Sequence, residues 1–153
     1  MKGHAPLMSK ASDEWATPQD FYDVVNRKFG PFTLDAAATP ENAKARRFFT
    51  KDDDALAQSW GQHEVVWLNP PYSRIAAFTD KALEESQRLI VMLVPARTDT
   101  QWWHRLTAHA HVAFLKGRLT FGDGPSCAPF PSALVTIGPS IEMFFYNWDW
   151  RKA

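Results

Sequence analysis

The sequence predicts a single α/β domain, with a mostly parallel sheet between helices, finished by antiparallel strands near the C-terminus. Three observations carry this reading. At 153 residues the chain is long enough for one sizeable core and short for two. From Trp15 to Leu106, short apolar runs alternate with stretches of helical period, the order that parallel βαβ units require. Beyond Val112 the helical period stops, and short apolar runs broken by glycine and proline follow, as in antiparallel strands.

Residues 1–13 show little apolar periodicity and are expected to form a mobile tail, leaving 14–153 as the folded domain. Thr17-Pro18 reads as a helix start, a hydroxyl cap followed by proline at the first helical position. Phe21, Val24, Val25 and Phe29 then fall at helical spacing, and Gly30 is the stop. Phe32-Thr33-Leu34 is a short strand running into Asp35, and Ala36-Ala37-Ala38 permits close backbone approach. Thr39-Pro40 repeats the cap-plus-proline pattern and predicts a second, short helix. Residues 47–50 are a strand candidate, and Asp52-Asp53-Asp54 leads into a helical turn over 55–60.

Residues 64–68 form a buried strand, with Val65, Val66, Trp67 and Leu68 in succession, ending at Asn69-Pro70-Pro71-Tyr72. Ser73 is placed to cap a helix carrying Ile75, Phe78, Ala82 and Leu83 on one face. Residues 89–94 are another buried strand, closed by Pro95. Thr98 or Asp99 opens a helix bearing Trp102, Trp103 and Leu106. Strands are then predicted over 112–115, 119–121, 133–137 and 141–146.

Seventeen basic residues balance seventeen acidic ones, so overall charge leaves no footprint for nucleic acid. Any positive face has to be local. Lys44, Arg46, Arg47 and Lys51 make one cluster, and Arg97, His104, Arg105, His109 and His111 make another; either also reads as a solvated surface. Cys127 is the only cysteine, which excludes an internal disulfide and a cysteine zinc site. His104, His109 and His111 lack a carboxylate partner at zinc-binding spacing, so no metal is expected. Residues 1–10 lack the apolar core of a signal peptide, and 89–94 is too short to span a bilayer; a soluble cytoplasmic protein is expected.

The strongest local feature is Asn-Pro-Pro-Tyr directly after a buried strand, because ligands of open α/β sheets bind at the carboxyl ends of strands. An aromatic amino group delocalises its lone pair into the ring and is a poor nucleophile. Two acceptors aimed at its two hydrogens favour a more tetrahedral nitrogen and release that lone pair. The Asn69 side-chain oxygen is one such acceptor, and the Pro70 carbonyl is the other. Asn69 and Pro70 each precede a proline and are held extended, while proline fixes its own φ, so the loop is preorganised. Tyr72 offers a flat ring on which a base can stack. A rigid strand-to-helix turn with an asparagine cap is the alternative reading of the same four residues.

The loop resembles the [Asp/Asn]-Pro-Pro-[Tyr/Phe] pattern of amino-group methyltransferases. The wider order is similar to the phage DNA N-6-adenine methyltransferase family: Trp15-Ala16-Thr17-Pro18, Leu34-Asp35-Ala36-Ala37, Glu41-Asn42-Ala43-Lys44, Asp54-Ala55-Leu56 with Trp60, then Asn69 to Tyr72. Lys116 to Phe121 and Ala128 to Ala133 also resemble that family, and the similarity spans roughly 14–138.

The resemblance implies a Rossmann-like class I methyltransferase sheet that uses S-adenosylmethionine to methylate the exocyclic amino nitrogen of adenine in DNA. Asp35, Ala36 and Ala37 match the first cofactor motif, although alanines stand where glycines usually follow the acid. Trp15, Thr17 and Pro18 match a segment that packs over the cofactor, Asp54 a position near its adenine ring, and Asn69 borders both cofactor and substrate. Asn69, Pro70, Pro71 and Tyr72 are the implied catalytic residues. The implied partner is double-stranded DNA with a flipped adenine, touched by Tyr72, Arg97, Arg118 and Phe121. Specificity then falls to loops such as 122–129, or to a second subunit in a homodimer. Methylation of RNA bases or protein glutamine, or an inactive DNA-binding relative, are the rival readings of the loop.

Overall fold

The computed structural model describes residues 16–61, 65–121 and 127–153. The predicted tail, Trp15, Glu64 and positions 122–126 of the loop expected to carry specificity lie outside the described residues. Seven strands form one sheet: β1 (Leu34–Asp35), β2 (Arg47–Phe48), β3 (Val65–Leu68), β4 (Leu89–Pro95), β5 (His111–Leu115), β6 (Ser132–Ile137) and β7 (Phe144–Trp148). Their order is β2-β1-β3-β4-β6-β5-β7. The three helices are α1 (Gln19–Phe29), α2 (Ile75–Glu84) and α3 (Gln101–Thr107). No helix among the described residues is long and apolar enough to cross a membrane.

The pleat divides the core. Leu34, Val66, Leu68, Ile90, Met92 and Val94 face α2 and α3 with Phe78, Trp103 and Leu106. Trp67, Val91, Leu93 and Leu134 face the other way, against Phe21, Tyr22 and Val25 of α1. Consecutive residues thus serve opposite faces, which is why the central strands read as unbroken apolar runs. Trp67 shows the tightness of this packing. It is 1% exposed, and the rings of Tyr22 and Phe32 both lie 5.5 Å from its own.

The sheet is mostly parallel, as expected. The antiparallel character expected toward the C-terminus resides in β6, which pairs antiparallel with both β4 and β5. The last strand, β7, runs parallel to β5. The carboxyl ends of β1, β3, β4, β5 and β7 therefore share one edge.

Several local expectations are corrected. The α1 N-cap is Pro18, without a side-chain cap, because the Thr17 hydroxyl is engaged elsewhere. Thr39-Pro40 starts a turn and not a helix. The Thr39 N–H donates to Asn42 Oδ1 and the Asn42 and Ala43 N–H groups turn back to Thr39, but the Lys44 N–H goes to Asp35 instead of continuing the ladder, so the chain stops after one turn. Thr100, not Thr98 or Asp99, caps α3 by accepting from the Trp103 N–H at 3.3 Å. Residues 119–121 form no strand, although the Leu119 carbonyl accepts from Ala128. The final strand begins at Phe144 and not at 141, because Gly138 and Ser140 take positive φ and turn the chain first. Pro95, expected to close β4, is its last residue, and Ser73 lies in a 3₁₀ turn, Tyr72–Arg74, ahead of α2.

Candidate active site

Strand β1 lies between β2 and β3, so the chain leaves β1 to one side and returns on the other. That reversal opens a crevice at the carboxyl ends of β1 and β3. The cavity found there is about 340 Å³, within the usual range for small-molecule pockets. The lining brings together Thr17, Asp35, Ala36, Ala37, Asp54, Asn69 and Pro71, residues scattered over more than fifty positions of sequence.

Backbone hydrogen bonds continue the ladder past the strands and fix the floor. The Ala36 N–H donates to Trp67 O at 3.0 Å, Phe49 N–H to Asp35 O at 3.0 Å, and Ala38 N–H to Phe49 O at 2.9 Å. Side chains larger than alanine at 36–38 would occupy the space the chain leaves open here, so the alanines do by size what glycines do elsewhere.

Asp35 is 2% exposed. Its Oδ1 accepts from the Ala37 N–H at 3.2 Å and its Oδ2 from the Lys44 N–H at 2.9 Å, closing the 36–44 loop around the cavity. Burial pushes its carboxyl up from 3.8 to about 7, against the opposing pull of those two N–H groups and the Lys44 charge. The Tyr22 hydroxyl donates to Lys44 O at 2.7 Å, and burial, with Asp35 and Asp23 nearby, raises that phenol to about 12. Burial also lowers the Lys44 ammonium, with Asp35 and Asp23 opposing. Its Nζ donates to Gln19 at 2.7 Å and lies 5.6 Å from the Tyr22 ring.

Asp54 lines the cavity with φ +54°, in the left-handed region that residues other than glycine rarely adopt. Such strain persists only where surrounding structure imposes it. Here the Ala57 N–H donates to Asp54 O, and Trp60 Nε1 donates to Ala55 O at 3.0 Å from a fully buried ring.

Asn69 follows β3 directly, and its Nδ2 donates to the Thr17 hydroxyl at 3.0 Å. The amide nitrogen is thereby turned toward the 16–18 segment, which sets the carbonyl oxygen on the opposite side of the amide. Pro71 is extended, with φ −62° and ψ 130°, before the 3₁₀ turn that leads into α2.

Not every expected residue meets at the cavity. Pro18, Pro70 and Tyr72 are absent from its lining, as are Arg97, Arg118 and Phe121. Tyr72 packs edge-on against Phe130, with ring centroids 5.2 Å apart, and burial raises its phenol far above the usual range. The Arg97 guanidinium lies 5.8 Å from the Phe130 ring. Phe121 is buried against Phe130, making it a packing ring rather than an exposed stacking surface. Arg118 is exposed and donates to Ala128 O at 3.3 Å.

Sequence reasoning missed Phe130 as the support of Tyr72. It also missed Asn42, Phe49, Ser73 and Arg74 in the cavity lining. For Phe49 the local signal is its place directly after β2. Among the described residues no group of three metal-ligating side chains converges.

The sequence pattern of the family described as "DNA N-6-adenine-methyltransferase (Dam)" matches residues 4–135. The chain is 36% identical over 111 residues to a DNA N-6-adenine-methyltransferase of Escherichia phage T1, covering 71% of this chain and 47% of that protein. It is 32% identical over 108 residues to the DNA N-6-adenine-methyltransferase of Haemophilus phage HP1, covering 67% and 62%. It is 34% identical over 70 residues to the putative methyltransferase YfdM of Escherichia coli K12, covering 42% and 77%. The chain thus spans between about half and three-fifths of the length of the two phage relatives. It belongs to the DNA N-6-adenine-methyltransferase (Dam) family.

Proposed function

We propose that this chain transfers a methyl group from S-adenosylmethionine to the exocyclic amino nitrogen of adenine in DNA. The observation that carries the reading is Asn69, oriented by Thr17 at the border of a cavity lying at the reversal point of the sheet.

The cavity's chemistry fits the cofactor. Its surface is mainly apolar, and the acidic Asp35, Asp52 and Asp54 line it together with the basic Lys44, Lys51 and Arg74, which suits a ligand combining a flat base with charges of both signs. Ala36 and Ala37 would hold its methionine end close to the backbone, Thr17, with Pro18 next to it in the chain, would cover it, and Asp54 would face its adenine. When bound, the cofactor supplies an already activated methyl, so no strong base is required of the protein.

The target adenine leaves the duplex and enters beside Tyr72. The Asn69 oxygen and the Pro70 carbonyl accept from its amino hydrogens, and Pro71 keeps both rigid. Tyr72 supports the base face, with Phe130 behind its ring. Arg97, at the end of β4, and Arg118 face the DNA backbone. Phe121 serves the same surface from beneath, through Phe130.

Incubation with labelled S-adenosylmethionine and unmethylated duplex DNA tests the reading, followed by nucleoside analysis and long-read sequencing for modified adenine. Label in DNA adenine is the expected result. Label in RNA or protein glutamine instead, or no cofactor binding by calorimetry, overturns it.

A further inference from the structure

The C-terminal residues build a second feature on the same edge of the sheet, away from the cavity. Arg151 Nη1 donates to Lys116 O at 3.1 Å, and Nη2 to Arg118 O at 3.3 Å. One guanidinium thus grips both ends of the turn after β5. Gly117 between them has φ +74°, a conformation that favours glycine, and a Cβ there would press on Arg151 Nη1 at 3.2 Å. The guanidinium stands 4.5 Å from the ring of Trp150, which is itself buried and packed edge-on against Phe21 of α1. The clamp is therefore anchored in the core.

The clamp displays charge. The Asp149 carboxylate lies 3.3 Å from Lys116 Nζ and 3.8 Å from Lys152 Nζ, while those side chains remain 71% and 80% exposed. Two cations flank that carboxylate, and Arg118 and Arg151 stand on and against the same turn, in a chain whose total charges cancel. Exposed ion pairs of this kind contribute little to stability. Positive charge gathered on a rigid turn instead creates a local field for a polyanion.

We propose that this clamp is a contact for the phosphate backbone of duplex DNA, separate from the base-handling loop; the proposal rests on DNA being the substrate. Strand order sets its reach. From β3 to β7 there are four strand spacings, roughly 19 Å at about 4.8 Å each. That is about six base pairs at roughly 3.4 Å of rise. The clamp grips flanking duplex about half a helical turn from the extruded nucleotide. Its contacts raise affinity for any sequence and carry no base readout.

The test compares two double variants matched in charge. Lys116→Gln/Lys152→Gln removes the exposed ammonium pair, and Arg27→Gln/Arg105→Gln removes two exposed cations near the opposite, amino edge. Binding to a random-sequence duplex is measured over a salt series, and methylated sites are mapped in parallel. The expected result for the lysine pair is a plot of log affinity against log salt shallower by roughly 2, near the 0.9 per phosphate contact typical of duplex DNA, with the methylated sequence unchanged. The arginine pair should keep the wild-type slope. Equal slopes in all three proteins, or equal flattening in both doubles, overturns the clamp. Wild-type methylation in the same experiment reports on the enzymatic reading separately: DNA methylated with no slope change sinks the clamp alone, and a patch-dependent slope without methylation sinks the enzyme alone.

Discussion

The Asn69 amide donates to the Thr17 hydroxyl at 3.0 Å, joining the loop after β3 to the segment before α1 across 52 residues of sequence. This one bond fixes which way the amide faces. It explains why Thr17 does not cap the helix that its position in sequence suggests.

Thr17→Val should therefore lower kcat for methyl transfer about five- to tenfold, the scale of one hydrogen bond at ~1 kcal/mol, with little change in KM for DNA. Thr17→Ser should restore most of the rate. Steady-state transfer of labelled methyl checks this; a Thr17→Val enzyme with wild-type kcat would show that the bond does not orient the amide.

Asn69→Ala should cost roughly 10²–10³ in kcat, as for loss of a preorganised catalytic hydrogen-bonding group, while largely sparing cofactor binding. Asn69→Asp should retain more activity than Asn69→Ala. A carboxylate keeps the acceptor, and the Thr17 hydroxyl can reverse its role and donate. Equal turnover in the two variants argues against the acceptor role.

Tyr72 acts through its ring. Burial holds its phenol protonated well beyond neutral pH. Tyr72→Phe should keep most activity and leave the pH–rate profile unmoved, whereas Tyr72→Ala should weaken target-base engagement by ~1–3 kcal/mol, the usual scale for stacking. A fluorescent adenine analogue at the target position reads this out. A profile displaced by Tyr72→Phe would assign the hydroxyl a role in proton transfer.

Asp35 makes stability depend on pH. Its native carboxyl titrates near 7 against an ordinary 3.8, so between those values the folded chain holds a proton that the unfolded chain has released. Stability then falls as pH rises through that window and levels off above about 7. Urea unfolding between pH 4.5 and 8 should show this decline, and Asp35→Asn should remove its share. An unchanged pH dependence in Asp35→Asn would place the titration elsewhere. Loading the cavity with a cationic ligand should favour the ionised form and release a proton near pH 7, which calorimetry in buffers of different ionisation enthalpy detects.

Much of the sheet was legible because its central strands are buried on both faces. The runs 65–68, 89–94 and 133–137 have no polar alternation to obscure them, and each appears as a strand. Short elements were less legible. Strands β1 and β2 are two residues each, too short for any period to register. The Thr39-Pro40 start is overridden by a carboxylate that claims the Lys44 N–H from nine residues away. In the site, Asp35 and Asn69 stood out because one ends a strand and the other directly follows one, and Pro71 because it belongs to the double-proline loop. Phe49 and Ser73 line the cavity only because of where neighbouring loops fold.

By itself the sequence determined the chemistry-bearing loop: prolines fix backbone angles locally, so Asn69-Pro70-Pro71 is rigid whatever surrounds it. It also determined that a parallel sheet would present that loop at a carboxyl edge. Only the tertiary structure decided which side of the Asn69 amide is turned to Thr17, that Phe130 backs Tyr72, and that Arg151 grips the turn beyond β5. Those relationships join residues 33 to 58 positions apart. They depend on strand order and side-chain packing, which no local period in the chain encodes.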